Sequence, residues 1–193
     1  DLNTARDNMG GLGTSTAALC VGGLASGPSR VAINESWNGS AWTELGDLNT
    51  GRSGLAAAGS TTAALAFAGN TPPVSKLNES WNGSAWTEVG DMNTARQLVM
   101  GGGTATSALV AGGEITADSA LNESWNGSSW TEVGDLNTAR RDGAAAISNN
   151  SSGIVFGGTE PKKANTENWD GSSWTEVADL SVGVASQGGN GSA

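Results

Sequence analysis

The chain has 193 residues, 30 of them glycine and eight tryptophan, with one cysteine and neither histidine nor tyrosine. Without histidine, the chain can have neither Ser-His-Asp or Cys-His catalysis nor histidine-ligated metals. The single Cys20 can form neither an internal disulfide nor a thiolate metal cluster. The chain has 19 acidic and 9 basic residues, and its net charge of −10 argues against nucleic acid or an anionic membrane as a partner.

The sequence predicts neither a membrane span nor an N-terminal signal peptide. No apolar run approaches the roughly 18 residues that a membrane span needs, so we expect no membrane insertion. The first residues also lack the charged-then-apolar pattern of a signal peptide. The chain begins at Asp1 rather than Met, which is typical of a processed product or an excised fragment.

One motif recurs through the whole chain and divides it into units. All eight tryptophans fall on two series with a spacing of 44 residues, one starting at Trp37 and the other at Trp42. The series define four units, 1–46, 47–90, 91–134 and 135–178, within a single domain that spans 1–193. Residues 179–193 form an abbreviated fifth copy, which we interpret as a partial repeat or a closing strand.

Each unit predicts four short strands and no helix. A small-residue strand such as GLAAAG at 54–59 is followed by a turn and an apolar run such as ALAFAG at 64–69. After a variable connection, a third strand ends in Glu-Ser-Trp, and Asn-Gly closes a hairpin onto Trp-Thr-Glu. Four-stranded units of about 44 residues without helices are typical of β-propeller blades. The sequence therefore predicts an all-β, four-bladed β-propeller.

The Asn-Gly hairpin allows two arrangements of the tryptophans. A two-residue turn would pair Trp37 with Ser40 and Trp42 with Glu35, and a four-residue loop would place the two tryptophans directly opposite. In both arrangements the two indoles share one face of the sheet. We expect the pairs to form apolar clamps between neighbouring units, and an exposed platform that stacks a ligand is the alternative.

The order of these signals resembles the kelch repeat. An arginine precedes the small-residue strand, a Gly-Gly doublet follows the apolar strand, and two aromatic residues follow the doublet. The matching positions are Arg6, Gly22-Gly23, Trp37 and Trp42; Arg52, Ala68-Gly69, Trp81 and Trp86; Arg96, Gly112-Gly113, Trp125 and Trp130; and Arg140, Gly157-Gly158, Trp169 and Trp174. The blocks are also similar to Trp-rich repeat proteins of marine phage and environmental sequences. Both resemblances imply a propeller of kelch-like blades.

Charged residues recur at two positions of the unit. The arginines are Arg6, Arg52, Arg96 and Arg140, and the glutamates after the second tryptophan are Glu44, Glu88, Glu132 and Glu176. We expect an inter-blade ion pair, or a guanidinium that donates to turn carbonyls. The alternative is a ring of arginines that lines a channel and binds an anion.

The connection between the second and third strands differs most between units. It reads LASGPSRVAI, NTPPVSKL, EITADSAL and TEPKKANT. Loops that vary on a repeated scaffold are common binding sites, although drifting solvated loops would look the same. The candidate binding residues are Ser29, Arg30, Pro72, Lys76, Glu114, Asp118, Lys162 and Lys163.

The residue inventory argues against the propeller enzymes. Copper-radical oxidases need tyrosine and histidine ligands, and sialidases need a tyrosine nucleophile. Paired carboxylates could act as acid and base, but no unit carries a distinctive pair. No calcium-loop motif occurs. We therefore expect no catalytic residues, no metal and no cofactor.

A binding or structural role remains. The Gly/Ser/Thr/Asn-rich, acidic repeats favour an exposed adhesion or virion-surface module, comparable to a tail fibre, that binds a protein or a glycan and could form homo-oligomers. Such a module would be extracellular or on a virion. The alternative is a lectin-like propeller with one weak carbohydrate site per blade, whose affinity is raised by avidity. For ring closure, we expect 179–193 to lie near the first strand at 5–13, and a fifth blade completed by another chain is the alternative.

Overall fold

A computed structural model describes residues 1–159 and 161–185 and consists of strands, turns and loops, without a helix in these residues. The all-β prediction is confirmed. The strands are β1 (Gly10–Thr14), β2 (Ala17–Val21), β3 (Asn34–Trp37), β4 (Trp42–Glu44), β5 (Ala56–Gly59), β6 (Ala64–Phe67), β7 (Asn78–Trp81), β8 (Trp86–Glu88), β9 (Met100–Thr104), β10 (Ser107–Ala111), β11 (Asn122–Trp125), β12 (Trp130–Val133), β13 (Ala144–Asn149), β14 (Ser152–Phe156), β15 (Thr166–Trp169) and β16 (Trp174–Val177). No described helix has the length and apolarity that a membrane crossing needs.

The strands form four antiparallel meanders, each made from one repeat unit. Blade 1 is β1–β4, blade 2 is β5–β8, blade 3 is β9–β12 and blade 4 is β13–β16. The first strands of successive blades contact one another, so they are the innermost strands. Small residues permit this approach, since a Cβ on Gly101 of β9 would lie 2.9 Å from the Cβ of Ala56 on β5. The prediction of a four-bladed β-propeller is confirmed.

Backbone hydrogen bonds join the entrances of the innermost strands. The amide of Gly54 donates to the Asn8 carbonyl (2.7 Å), that of Leu98 to Gly54 (2.8 Å) and that of Asp142 to Leu98 (2.9 Å). All four residues have left-handed backbone angles, with φ between 50° and 63°. This conformation is unusual for Leu98, because a branched side chain disfavours positive φ. Each blade is thereby fixed to the blade before it.

The segment between two blades also lies against the earlier blade. Between blades 1 and 2, Leu48 donates to Ala32 (3.0 Å) and Gly23 donates to Arg52 (2.9 Å). The start of the fifth copy lies on blade 4 in the same way, because Leu180 donates to Ala164 (3.0 Å) and Gly158 donates to Val184 (2.8 Å). The described part of this copy thus contacts blade 4. The prediction placed the whole tail, 179–193, near residues 5–13; residues 179–185 lie on blade 4, and 186–193 are outside the described residues.

Each blade has two different faces. The register pairs Ala18 with Trp37, and these residues share a surface with Trp42; we call this surface and its equivalents the Trp face. Leu19 and Val21 point to the opposite surface, which we call the aliphatic face. In the first core cluster, Leu19 and Val21 pack with Trp81 and Trp86. Each junction therefore joins the aliphatic face of one blade to the Trp face of the next.

Candidate functional site

The tryptophan hairpin contains a four-residue loop. Trp37 lies directly opposite Trp42, and Asn38 donates its amide to the carbonyl of Ala41 (3.2 Å). The side-chain oxygen of Asn38 accepts from the amides of Ser40 and Ala41, both at 3.0 Å, and only Gly39 has a positive φ, 94°. The two-residue turn is therefore wrong, and the four-residue alternative is correct. Asn38 acts through its side chain, which caps the loop, rather than through a left-handed backbone.

The indole pairs have the same geometry in every blade. Ring centroids are 5.6 Å apart at an interplanar angle of 42° in blade 1, and 5.3 Å apart at 40° in blade 4. The six tryptophans of blades 2, 3 and 4 are at most 6% exposed, whereas Trp37 and Trp42 are only half-buried. The indole nitrogen of Trp125 donates to the Ala105 carbonyl (3.2 Å), which fixes the ring. Six of the eight tryptophans thus fill blade junctions.

The recurrent arginines form buried ion pairs inside their own blades. The Nη2–Oε1 distance is 3.3 Å for Arg52–Glu79, 3.1 Å for Arg96–Glu123 and 2.7 Å for Arg140–Glu167, and Arg6 pairs with Glu35. The partner is the glutamate of the third strand, which reads Glu-Ser-Trp in blades 1–3 and Glu-Asn-Trp in blade 4. The predicted ion pair thus lies within a blade and not between blades, and Glu44, Glu88, Glu132 and Glu176 are exposed on the outer strands. The alternative of a guanidinium that donates to carbonyls is also present, since Arg6 donates to Gly22 (2.9 Å) and Arg140 to Gly157 (3.1 Å).

Each buried glutamate also receives the backbone that enters its blade. Glu123 Oε2 accepts from the amide (2.7 Å) and the side chain (2.9 Å) of Asn93, and Oε1 accepts from the amide of Thr94 (3.2 Å). The same Asn-Thr pair contacts Glu35 in blade 1 through Asn3 and Thr4. The sequence did contain this signal, because Asn-Thr and Glu recur in phase.

Burial and pairing act in opposite directions on these charges. Burial lowers the pKa of Arg96, and the charge of Glu123 opposes this shift. Burial raises the pKa of Glu35, but the hydrogen bonds from Arg6, Asn3 and Thr4 outweigh it, so that the pKa is lowered overall. Arg52, Arg96 and Arg140 have no solvent-exposed surface. This burial argues against a ring of arginines that binds an anion.

The variable connections lie at one end of the molecule. Their first residues bridge to the residue after the recurrent arginine, as in Leu24–Asp7 and Glu114–Gln97. We call this end, made of residues 24–33, 70–77, 114–121, 159 and 161–165, the loop face. Of the eight candidate binding residues, the exposed ones are Ser29, Pro72, Lys76 and Lys162, and the half-buried ones are Arg30, Glu114, Asp118 and Lys163.

Three candidate residues are engaged in a charge network between blades 3 and 4. Arg141 Nη1 lies 3.0 Å from Glu114 Oε1 and 3.4 Å from Asp118 Oδ1. Lys163 Nζ lies 3.0 Å from Asp118 Oδ2 and donates to the Thr159 carbonyl at 3.0 Å. Glu114, Asp118 and Lys163 therefore help to hold two blades together, and their side chains are less available to a ligand.

The network continues into blade 2 through a residue that the sequence analysis missed. Gln97 donates to Glu114 (3.1 Å) and accepts from the side chain of Asn70 (2.7 Å). Leu24 occupies the position of Asn70 in blade 1 and supplies no polar side chain. Gln97 and Arg141 both directly follow the recurrent arginine, at a position that differs in every unit. That variability was the signal by which they could have been found.

The charges of the chain are distributed unequally over its surface. Four of the nine basic residues are the buried arginines, and the other five are Arg30, Lys76, Arg141, Lys162 and Lys163. All five lie on the loop face or beside it. Lys76 is 3.7 Å from Asp91 with 54% of its side chain exposed. Among the described residues, the basic side chains that reach solvent therefore lie on the loop face or beside it.

A cavity of about 610 Å³ runs along the axis. All four first strands line it, for example at Gly10, Met100 and Ala144, and Trp42 borders it from the Trp face of blade 1. Its lining is mostly apolar, with small and aliphatic side chains and one indole, that of Trp42. Cys20 also lines the cavity. Burial raises the pKa of its thiol, although Arg6 lowers it in part, so Cys20 is protonated near neutral pH.

The described residues contain no group of three or more His, Cys, Asp or Glu arranged to hold a metal ion. No protein-family model matches the chain, and no curated protein matches its sequence.

Proposed function

We propose that the protein is a non-enzymatic binding and structural β-propeller, exposed on a cell or virion surface as an adhesion module, and that it binds its ligand through the loop face. The carrying observation is that the five basic residues other than the buried repeat arginines gather at this end, in a chain of net charge −10, and that Lys76 and Lys162 among them are exposed. The repeated residues serve the scaffold, and the residues that differ between blades are displayed on one surface.

The exposed cations indicate the chemistry of the ligand. Lys76 and Lys162 extend from blades 2 and 4, and both are exposed. Because blade 3 lies between blades 2 and 4 in chain order, a partner that contacts both lysines should be extended. The acidic outer strands would repel such a partner elsewhere on the molecule, so the loop face also determines its orientation. An anionic glycan chain or an acidic protein surface fits this pattern.

Charge reversal tests the proposal with a matched control. Labelled protein is applied to a printed array of neutral and anionic glycans and of acidic extracellular proteins. Lys162→Glu should abolish binding, and added salt should weaken it. The double variant Thr87→Glu with Thr131→Glu makes the same change in net charge on exposed outer strands and should bind like the natural chain. If both variants bind equally, the loop face is not the ligand surface.

A carbohydrate site at Trp42 is the second candidate. Trp42 is half-buried and borders the axial cavity, whose volume lies within the range of about 300–1,000 Å³ that is common for ligand sites. The equivalent tryptophans in blades 2–4 are buried, so this geometry favours one sugar site rather than one per blade. A titration of tryptophan fluorescence with the same glycans should show a change that Trp42→Phe removes. If the variant keeps the full change, the sugar binds elsewhere.

A further inference from the structure

Three junctions in this chain follow one pattern, which defines what an unpaired blade face should bind. In the second junction, Leu65 and Phe67 of blade 2 pack with Trp125 and Trp130 of blade 3. The ring centroids of Phe67 and Trp130 are 5.0 Å apart. In the third junction, Leu109 of blade 3 packs with Trp169 and Trp174 of blade 4. Each contact thus places a ready-made indole pair on an aliphatic face.

Blade 1 has an indole pair on its Trp face, but no aliphatic face of another blade packs on this pair in the described residues. Trp37 and Trp42 are half-buried and belong to none of the three core clusters of the described residues. Their geometry is nevertheless that of the buried pairs, with centroids 5.6 Å apart. Trp37 is fixed by a hydrogen bond from its indole nitrogen to the Ser15 carbonyl (2.9 Å). The Trp face of blade 1 is therefore preformed.

Blade 4 presents the complementary half. Ile154 and Phe156 stand in register where blade 2 has Leu65 and Phe67. Leu65 and Phe67 are at most 1% exposed, whereas Ile154 and Phe156 are half-buried. Leu180 donates to Ala164 of blade 4 as Leu48 donates to Ala32 of blade 1, and Leu48 belongs to the first core cluster.

We infer that the Trp face of blade 1 binds the aliphatic face of blade 4 from a second copy of this chain, head to tail. The occupant is identified by continuity with the three junctions inside the chain, which pair the same two kinds of surface. Trp42 would then lie on Phe156 of the other copy as Trp130 lies on Phe67. Because the two surfaces differ, the association is heterologous, and it produces a closed ring or an open fibre.

The charge of the chain gives this association a recognisable salt dependence. Each copy carries −10, so the copies repel one another, and the contact itself is apolar. Added salt screens the repulsion and should strengthen the association. A contact held by ion pairs would instead weaken. Salt thus separates this junction from binding at the charged loop face, which salt should weaken.

Two variants, each defective at one end, test the inference. Trp42→Glu removes the Trp face and Phe156→Glu removes the aliphatic face, while Ile115→Glu adds the same charge on an exposed loop of blade 3. Sedimentation velocity of the natural chain over a hundredfold range of concentration should show integer multiples of 19.2 kDa. Ile115→Glu should match it. Each end variant alone should have an association constant at least about tenfold lower than that of the natural chain, because a buried aromatic anchor is lost.

Mixing the two end variants is the decisive step. Each keeps the face that the other has lost, so an equimolar mixture should form a complex of two chains. Circular dichroism of each variant alone establishes that it is folded. The inference is overturned if the natural chain stays monomeric at every protein and salt concentration tested. In that case the two faces meet within one chain, or a glycan covers Trp42. Failure of two folded end variants to form a mixed complex overturns it as well.

Discussion

The buried Arg–Glu pair of blade 3 offers the sharpest test of how the scaffold is held together. Glu123 is 0% exposed and accepts four hydrogen bonds, one from Arg96, two from Asn93 and one from Thr94. Glu123→Ala would leave the Arg96 charge buried without a partner. Removing one member of a buried ion pair costs about 3–5 kcal/mol of unfolding free energy. For a chain of this size, each kcal/mol lowers Tm by about 2–4 °C, so we expect a loss of about 6–20 °C.

Glu132→Ala is a matched control in the same blade. Glu132 lies directly opposite Glu123 on the neighbouring strand, but it is exposed, so the same substitution should cost less than about 0.5 kcal/mol. Thermal and urea unfolding, followed by circular dichroism, measure both values. Equal losses in the two variants would refute the assignment of Glu123 to the scaffold.

A second substitution determines whether the unpaired charge causes the loss. Adding Arg96→Met to Glu123→Ala removes the buried guanidinium, and the double variant should be more stable than the Glu123→Ala single variant. The single variant Arg96→Met completes the comparison. If the losses of unfolding free energy in Arg96→Met and Glu123→Ala simply add in the double variant, the arginine and the glutamate stabilise the blade independently.

Three further predictions concern local geometry. Gly13→Ala should destabilise by more than about 1 kcal/mol in urea unfolding, since φ is 109° and a Cβ would lie 2.3 Å from the Ala17 carbonyl oxygen; Gly11→Ala, with nothing within 4 Å, should be neutral or stabilising, and the reverse order would contradict this. Iodide should quench the tryptophan fluorescence of the dilute protein mainly at Trp37 and Trp42, so replacing both with Phe should remove most of the quenching. If the quenching persists in this double variant, the other indoles are accessible to solvent. Hydrogen bonds from the Ser173 amide and from the Ser172 hydroxyl and amide lower the pKa of Asp170 from 3.8 to about 2, so its contribution to stability is complete above pH 3.8 and is lost as pH falls through about 2; an NMR midpoint near 3.8 would refute these bonds.

The blades and their strands were predictable from the repeat period alone. The hairpin loop and the ion-pair partners were not, because they depend on specific side-chain contacts. The spacing of Trp37 and Trp81 and the alternation around them predicted the four-stranded blades, because both features are properties of a repeated strand pattern. The loop length was open because Asn38 can serve a turn through either its backbone or its side chain. The partner of Arg96 was misassigned because Glu123 and Glu132 recur equally well. Only their placement on an inner and an outer strand distinguishes them.

The candidate site was predictable in part for the same reason. Variation between units located the variable loops, but sequence cannot show which variable residues bind one another, so Gln97 was missed and the pairing of Lys163 with Asp118 was not foreseen. The contrast between Trp42 and Trp130 was also invisible, because the two residues sit in nearly identical sequence. The difference in their exposure arises because Trp42 belongs to the first blade of the series, whereas Trp130 belongs to an internal blade.

The left-handed residues that join the innermost strands, Asn8, Gly54, Leu98 and Asp142, differ in identity, although each makes the same backbone bond to its neighbour. The link is thus independent of side chain and can connect any unit to any other. Recombination between two copies of the coding repeat would add or remove about 44 residues at a boundary where both sides already match. Length variants of this chain are therefore expected to differ by whole units of the repeat.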